Sequence, residues 1–97
     1  LITAIENLDG LKHLVYLNLS YNKIQYINGL SDLWGREYTI ETLLLNSNFI
    51  SSLEEISYYL SGLVRLKHLT LFDNKFLKTV DYCAFIMTNL KTLHSLD

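Results

Sequence analysis

The sequence predicts an α/β solenoid, with short parallel strands on one face and helices on the opposite face. Three asparagines carry this prediction, because Asn22, Asn48 and Asn74 follow one another at a constant interval along the chain. Each asparagine stands three positions after the second leucine of an L-x-L pair. Self-similarity at one period is typical of a stack of repeated units that share a continuous core.

The complete frame of each unit is L-x-x-L-x-x-L-x-L-x-x-N-x-[I/F], which is the pattern of a leucine-rich repeat. Side chains alternate along a strand, so the two leucines of L-x-L point inward and the residue between them points out. The strands therefore line the concave face. The asparagine follows the strand, where its amide can satisfy backbone groups that a turn leaves unpaired. We assign Asn22, Asn48 and Asn74 to such a structural ladder.

The apolar positions divide the chain into parts of one leucine-rich repeat domain, residues 1–97. Residues 1–10 form a partial repeat, residues 11–78 form three repeats, and residues 79–97 form a C-terminal cap. The first part begins within a repeat and presents leucine positions that an earlier repeat would cover. We therefore expect this chain to be a fragment of a longer protein or part of a larger complex.

The convex face is expected to carry 3₁₀ and α helices. The commonest short intracellular repeat has about 22 residues and closes with a 3₁₀ turn. Here the period is longer, and Leu53, Ile56 and Leu60 recur at helical spacing in the extra segment. This pattern predicts an α-helix. The other insertion, residues 34–38, has no helical period and is predicted to protrude as a loop. Within it, Trp34 is expected to pack back on the convex side, or alternatively to serve as a protruding anchor.

A cap helix is expected after Phe76, with Thr79 as its N-terminal cap and Asn89 at its end. The apolar side of this helix is predicted from five residues. They are Val80, Cys83, Phe85, Ile86 and Met87. Leu90, Leu93 and Leu96 then predict a last strand. The helix would shield the end of the stack, as a terminal repeat must.

Composition limits the classes of function. A net charge of −2 and a pI near 5.9 disfavour nucleic acid as a partner. No apolar run reaches the roughly 18 residues of a membrane span. With one cysteine, Cys83, the chain has no internal disulfide, and the missing cysteine-rich cap favours an intracellular compartment. We interpret Cys83 as a core residue rather than a nucleophile.

The histidines do not indicate a catalytic or metal site. His13, His68 and His94 fall in three different repeats, without the spacing of metal ligands. No glycine-rich phosphate loop and no nucleophile motif is present. We therefore expect no enzymatic activity, no cofactor and no bound metal.

The outward positions of the strands form the candidate surface for a protein partner. They are expected to stack in columns, of which Leu44 and Phe72 are apolar where the pattern permits polar residues. With two tyrosines, they give an aromatic and nearly uncharged surface that suits a helix or loop of a partner. The candidate partner-binding residues are Tyr16, Asn18, Tyr21, Leu44, Asn46, His68, Thr70 and Phe72.

The repeats resemble the intracellular leucine-rich repeat class exemplified by the phosphatase-1 regulator, the axonemal dynein light chain and the spliceosomal U2 A-prime protein. The segment from Tyr82 to Asp97 resembles the cap motif of that class, Y-R-x(6)-L-P-x-L-x-x-L-D. It departs from the motif at Cys83, which replaces arginine, and at Lys91, which replaces proline.

Two segments also resemble the leucine-rich repeat and coiled-coil centrosomal protein family: Leu1-Ile-Thr-Ala-Ile5-Glu6-Asn-Leu8 and Leu17-Asn-Leu-Ser-Tyr-Asn22-Lys-Ile24. That resemblance implies a docking or scaffold module at a centrosome, basal body or cilium, in the cytoplasm or cytoskeleton. Its partner would be another protein, such as a cytoskeletal protein or a coiled coil. Two alternatives are a regulatory subunit that binds an enzyme such as a protein phosphatase, and a component of a ribonucleoprotein.

Overall fold

Repeated strand–turn–helix units build one stack. The computed structural model describes residues 1–76, 81–90 and 92–97. The elements, in chain order, are β1 (Tyr16–Asn18), a 3₁₀ helix (Asn28–Leu33), β2 (Thr42–Leu44), α1 (Leu53–Ser61), β3 (His68–Thr70), α2 (Tyr82–Asn89) and β4 (Ser95–Leu96). The strands pair in the order β1-β2-β3-β4, all parallel. The 3₁₀ helix contacts α1, and α1 contacts α2, so the helices form a second layer.

The register of the sheet follows the period of the sequence. Tyr16 pairs with Thr42, and Thr42 with His68, each one full repeat further along the chain. The leucines of each L-x-L pair face the core, and Leu43, Leu45, Leu69 and Leu71 are buried. In β1 the alternation is weaker because Leu17 lies at the end of the stack and stays partly exposed. Within the described residues, no helix is long and apolar enough to cross a membrane.

Each ladder asparagine ties its own turn to the neighbouring repeat. The Asn48 amide nitrogen donates to the carbonyl oxygens of Leu19, Leu45 and Asn46 at 3.0–3.2 Å. Its Oδ1 accepts from the backbone nitrogen of Ile24 at 3.0 Å. Asn74 repeats this arrangement one unit later, and Asn22 repeats it one unit earlier except for the amide bond to a carbonyl of the preceding repeat. The side chain therefore bridges two consecutive repeats.

The residue before each ladder asparagine adopts a left-handed backbone. The φ angles of Tyr21, Ser47 and Asp73 are 59°, 61° and 57°. None of the three is glycine, so each conformation carries a steric cost of about 1 kcal/mol. The turn tolerates this because the following asparagine holds the backbone in place through its hydrogen bonds.

α1 begins where the sequence supplies an N-terminal cap. The Ser52 hydroxyl accepts from the Glu55 backbone nitrogen at 3.1 Å, and Glu54 and Glu55 occupy the first turn. Acidic side chains there favour the positive end of the helix dipole. Ile56 and Leu60 face the core. The Glu55 carboxylate also accepts from the Ile27 backbone nitrogen at 2.7 Å, which joins α1 to the previous repeat.

The segment predicted to protrude is instead anchored at both ends, and Trp34 lies on the convex side, the first of the two positions expected for it. Trp34 packs against Tyr58 and Tyr59, and its indole nitrogen donates to the Tyr59 carbonyl at 2.7 Å. At the other end, the Tyr38 hydroxyl accepts from the Gly10 backbone nitrogen at 3.1 Å. The intervening Arg36 and Glu37 are exposed. The packing of Trp34 needs space at Gly62, where an added Cβ would lie 2.3 Å from the indole ring.

The cap helix α2 begins after Asp81, whose side chain accepts from the Ala84 backbone nitrogen at 3.1 Å. The expected cap Thr79, the apolar residue Val80 and the predicted boundary between residues 78 and 79 lie outside the described residues. The prediction of a broad apolar side is wrong. Ile86 is buried, whereas Cys83, Phe85 and Met87 are exposed. Spacing explains the exposure of Phe85 and Met87, because they are adjacent to Ile86 and so lie on other sides of the helix.

Replacement of Asn48 by leucine should lower the free energy of unfolding by about 1–3 kcal/mol, since it leaves buried carbonyl and amide groups without partners. Asn22→Leu should cost less, because the same groups in the first repeat are partly exposed. Urea denaturation of both variants measures the difference. An equal or larger loss in Asn22→Leu would show that burial does not set the cost.

Gly62→Ala should lower the free energy of unfolding by about 1–3 kcal/mol, because the added methyl group collides with Trp34. The fluorescence of Trp34, the one tryptophan of the chain, should shift to the red as the indole meets water. The matched test repeats Gly62→Ala in a Trp34→Leu background, where the collision is relieved. An undiminished cost there would contradict the assignment.

Candidate functional site

The concave surface presents the outward side chains of the four strands. Tyr16 and Phe72 are exposed, by 57% and 45%, and Leu44 between them is half-buried. Asn18 is exposed in the same column as Leu44 and half-buried Thr70. Tyr21 lies beyond the strand, 69% exposed at the turn. The structure thus places an apolar patch on the sheet, with Tyr21 beside it.

Asn46 is not the free polar contact that the sequence predicted. Its side chain is buried, with 6% exposure. Its Oδ1 accepts from the Thr70 hydroxyl at 2.7 Å, and its amide nitrogen donates to the Ser47 hydroxyl at 3.5 Å. Thr70 of the adjacent strand β3 thus takes up the amide oxygen of Asn46. The Asn46–Thr70 pair therefore shapes the floor of the concave surface, and Leu44 and Phe72 stand beside it.

His68 lies at the start of β3, where its side chain contacts the last strand. Its Nδ1 lies 2.8 Å from the Ser95 hydroxyl, and its ring centroid lies 6.4 Å from that of His94. These two rings come from neighbouring repeats, at the pairing of β3 with β4. Among the described residues, no group of three or more histidine, cysteine, aspartate or glutamate side chains is arranged to hold a metal ion.

Asp97 fixes the backbone of Phe72 at the edge of the patch. Its carboxylate accepts from the backbone nitrogens of Leu71 and Phe72, the latter at 3.1 Å, and from the Tyr82 hydroxyl. Burial and the hydrogen bond to Asp97 raise the pKa of Tyr82 well above its ordinary value. The neutral phenol is thus favoured in the folded chain, where it joins α2 to the end of the sheet.

Cys83, interpreted from the sequence as a core residue, is exposed on α2. Partial desolvation and the carboxylates of Asp97 and Asp81 raise the pKa of its thiol. A raised pKa leaves less thiolate at neutral pH, and the thiolate is the nucleophilic form. This environment is the reverse of the electropositive one that activates a cysteine.

A second exposed column lies along the turns that follow the strands, and we call it the rim. It was not predicted from the sequence. Lys23, Phe49 and Lys75 each occupy the position that follows a ladder asparagine, so they recur at the same constant interval. The Lys75 ammonium lies 5.4 Å from the centroid of the Phe49 ring. The signal was available in the repeat period, because residues in register on successive repeats become neighbours.

The fold is shared with solved structures. Over 97% of its length, the chain superimposes on a chain from the crystal structure of the Drosophila melanogaster SNF/U2A′ complex, with a TM-score of 0.82 and 24% sequence identity. The chain has a leucine-rich repeat fold. This match covers 52% of that solved chain, and at this identity it concerns the fold alone.

One curated relative aligns with almost the whole leucine-rich repeat domain. It is the U2 small nuclear ribonucleoprotein A′ of Arabidopsis thaliana, 31% identical in an alignment of 97 residues that covers 99% of this chain. The chain spans 37% of the length of that relative. No protein-family model matches the chain. Neither similar protein bears the name of a centrosomal, ciliary or phosphatase-binding protein.

Raising the pH should destabilise the leucine-rich repeat domain through Tyr82. Because its folded pKa is raised, its contribution is fully present below the ordinary tyrosine value of about 10 and is lost as pH rises above it. Tyr82→Phe should lose about 1 kcal/mol at pH 8 through the missing hydrogen bond. The variant should then show a smaller further loss than the parent chain between about pH 9 and 11. Parallel melting curves measure both effects, and identical slopes would exclude Tyr82 as the cause.

Proposed function

We propose that this chain is the protein-binding module of a ribonucleoprotein, and that its concave surface holds a protein partner. The proposal rests on the relative from Arabidopsis thaliana, whose name assigns it to a small nuclear ribonucleoprotein. The structural neighbour comes from a complex of two named components, SNF and U2A′. No reaction is assigned to the chain.

The concave surface is proposed as the binding site because of the patch formed by Tyr16, Leu44 and Phe72. Strand alternation directs these side chains away from the core, yet all three are apolar or aromatic. Within β1, β2 and β3, the columns that contain them hold no Asp, Glu, Lys or Arg. Burial of aromatic side chains at the centre of an interface typically supplies most of its binding free energy. The surface therefore suits an apolar face of a partner protein.

Two expectations from the sequence are wrong. The low net charge and pI disfavoured nucleic acid as a partner, but the name of the relative assigns it to a ribonucleoprotein. The expected place was the cytoplasm or cytoskeleton, at a centrosome, basal body or cilium, but the name of that relative specifies a nuclear particle. The motifs that suggested a centrosomal protein consist largely of repeat consensus residues. The solenoid requires such residues whatever it binds.

Leu44→Glu and Phe72→Glu should each abolish partner capture while the domain stays folded. In the free chain the new carboxylate meets water, whereas in a complex it is buried without a counter-charge, at a cost of several kcal/mol. The immobilised chain is incubated with nuclear extract, and recovery of U2 small nuclear RNA is quantified. Treatment of the extract with ribonuclease should leave the retained protein partner bound, because protein contacts hold it.

Leu45→Glu and Leu71→Glu are the matched controls, since each places the same charge at a neighbouring inward-facing position. Both leucines are fully buried, so these variants should unfold the domain. Thermal melts separate loss of folding from loss of binding. If folded Leu44→Glu and Phe72→Glu chains capture the partner normally, the concave surface is not the binding site. If the parent chain recovers neither the RNA nor a protein, the proposed function is wrong.

A further inference from the structure

We propose that the rim formed by Lys23, Phe49 and Lys75 binds single-stranded RNA, with one base stacked on the phenylalanine ring and flanking phosphates held by the lysines. This inference rests on the proposed function, because a ribonucleoprotein supplies the RNA. It assigns the rim and the concave surface to different ligands. The partner protein would occupy the sheet, while RNA would pass beside it along the turns.

The backbone of the rim is fixed, so its side chains have a defined spacing. The backbone nitrogens of Lys23, Phe49 and Lys75 each donate to a carbonyl of the previous repeat at 2.8 Å. Adjacent parallel strands lie about 4.8 Å apart, which places the two lysines roughly 10 Å apart with the ring between them. A flexible lysine side chain on each side can therefore reach a phosphate that flanks a base stacked on Phe49.

Phe49 is presented to solvent as a stacking surface. Its side chain is 44% exposed, whereas the neighbouring Ile50 is buried in the core. The Lys75 ammonium lies over the ring, 5.4 Å from its centroid. This contact occupies one face of the ring, and the 44% exposure of Phe49 leaves part of the ring open to a base. Aromatic rings beside cationic side chains form the usual stacking platform for single-stranded nucleic acid.

The two lysines are available for an anionic ligand. Among residues 1–76, 81–90 and 92–97, the ion pair formed is Lys67 with Glu41, at 3.9 Å. These two residues lie at the N-terminal ends of β3 and β2, whereas the rim follows the C-terminal ends of the strands. Lys23 and Lys75 have no acidic partner within that part of the chain. The acidic Asp73 belongs to the neighbouring column, with Tyr21 and Ser47. The Lys23–Phe49–Lys75 column itself contains no acid.

RNA fits this column better than an acidic peptide. Carboxylates of a peptide would satisfy the lysines and leave the exposed ring of Phe49 without a matching group. A nucleotide supplies both parts, a flat base for the ring and phosphates for the cations. One aromatic position and two charges give no sequence-specific contact, so the rim should bind without strong base preference.

Fluorescence anisotropy with a labelled oligouridylate of about ten nucleotides tests the proposal. Phe49→Leu keeps an apolar side chain but removes the stacking face, and it should weaken binding about tenfold. Lys23→Gln and Lys75→Gln should each reduce the slope of log K against log salt by about 0.7, the value for one phosphate contact on a single strand. Lys67→Gln makes the same charge change at the N-terminal ends of the strands, away from the rim, and should leave the slope unchanged. Thermal melts confirm that each variant is folded.

The alternatives give different results. Absence of oligouridylate binding, or an equal effect of Lys67→Gln, would overturn the proposal. Competition by polyglutamate as strong as by RNA, with Phe49→Leu unaffected, would identify a peptide site instead. Rim variants should still capture the partner protein, whereas Leu44→Glu should still bind oligouridylate. Failure of capture by the parent chain, with rim binding intact, would remove the proposed function and leave the rim as an RNA site.

Discussion

The hydrogen bonds of the ladder asparagines are the constraint on which the rest of this structure depends. Each turn after a strand brings backbone carbonyl and amide groups into the interior, where an unpaired group is costly. A side-chain amide can both donate and accept, so one asparagine satisfies its own turn and reaches the neighbouring repeat. Asn48 does both within the buried centre of the stack. A hydroxyl has a single hydrogen to donate and an ionised carboxylate has none, so neither could make the same set of bonds.

This constraint also sets the spacing of the surfaces. Because the ladder fixes each turn to the next, the residues around it are in register along the stack. Leu44 and Thr70 align on the concave sheet, and Lys23 and Phe49 align on the rim. Asp97 stands at the last strand, where its carboxylate accepts from two backbone nitrogens and from a tyrosine hydroxyl. An acceptor suits this position, since the groups that need partners there are donors.

Structural properties that depend on a regular spacing could be predicted from the sequence. Contacts between residues with no fixed spacing could not. The repeat period predicted the order of the strands, and the L-x-L pairs predicted which leucines are buried. By contrast, Trp34 was expected on the convex side, but its close approach to Gly62 was not, because no pattern connects these two positions. Asn46 is buried because Thr70 lies beside it and donates to its amide oxygen. Such contacts depend on the shapes of both partners.

The choice between protein and nucleic acid as ligands shows why a whole-chain property misled. A net charge of −2 averages over surfaces that act separately. Asp32 and Glu54 lie on the helical side, whereas Lys23 and Lys75 lie on the rim of the sheet. Electrostatic attraction between exposed charges is screened within about 10 Å at moderate salt, so a ligand on the rim responds chiefly to the charges beside it. An acidic net charge is therefore compatible with a basic, aromatic strip such as the one for which we propose RNA, because the repeat brings two lysines and one ring together from equivalent positions of successive units.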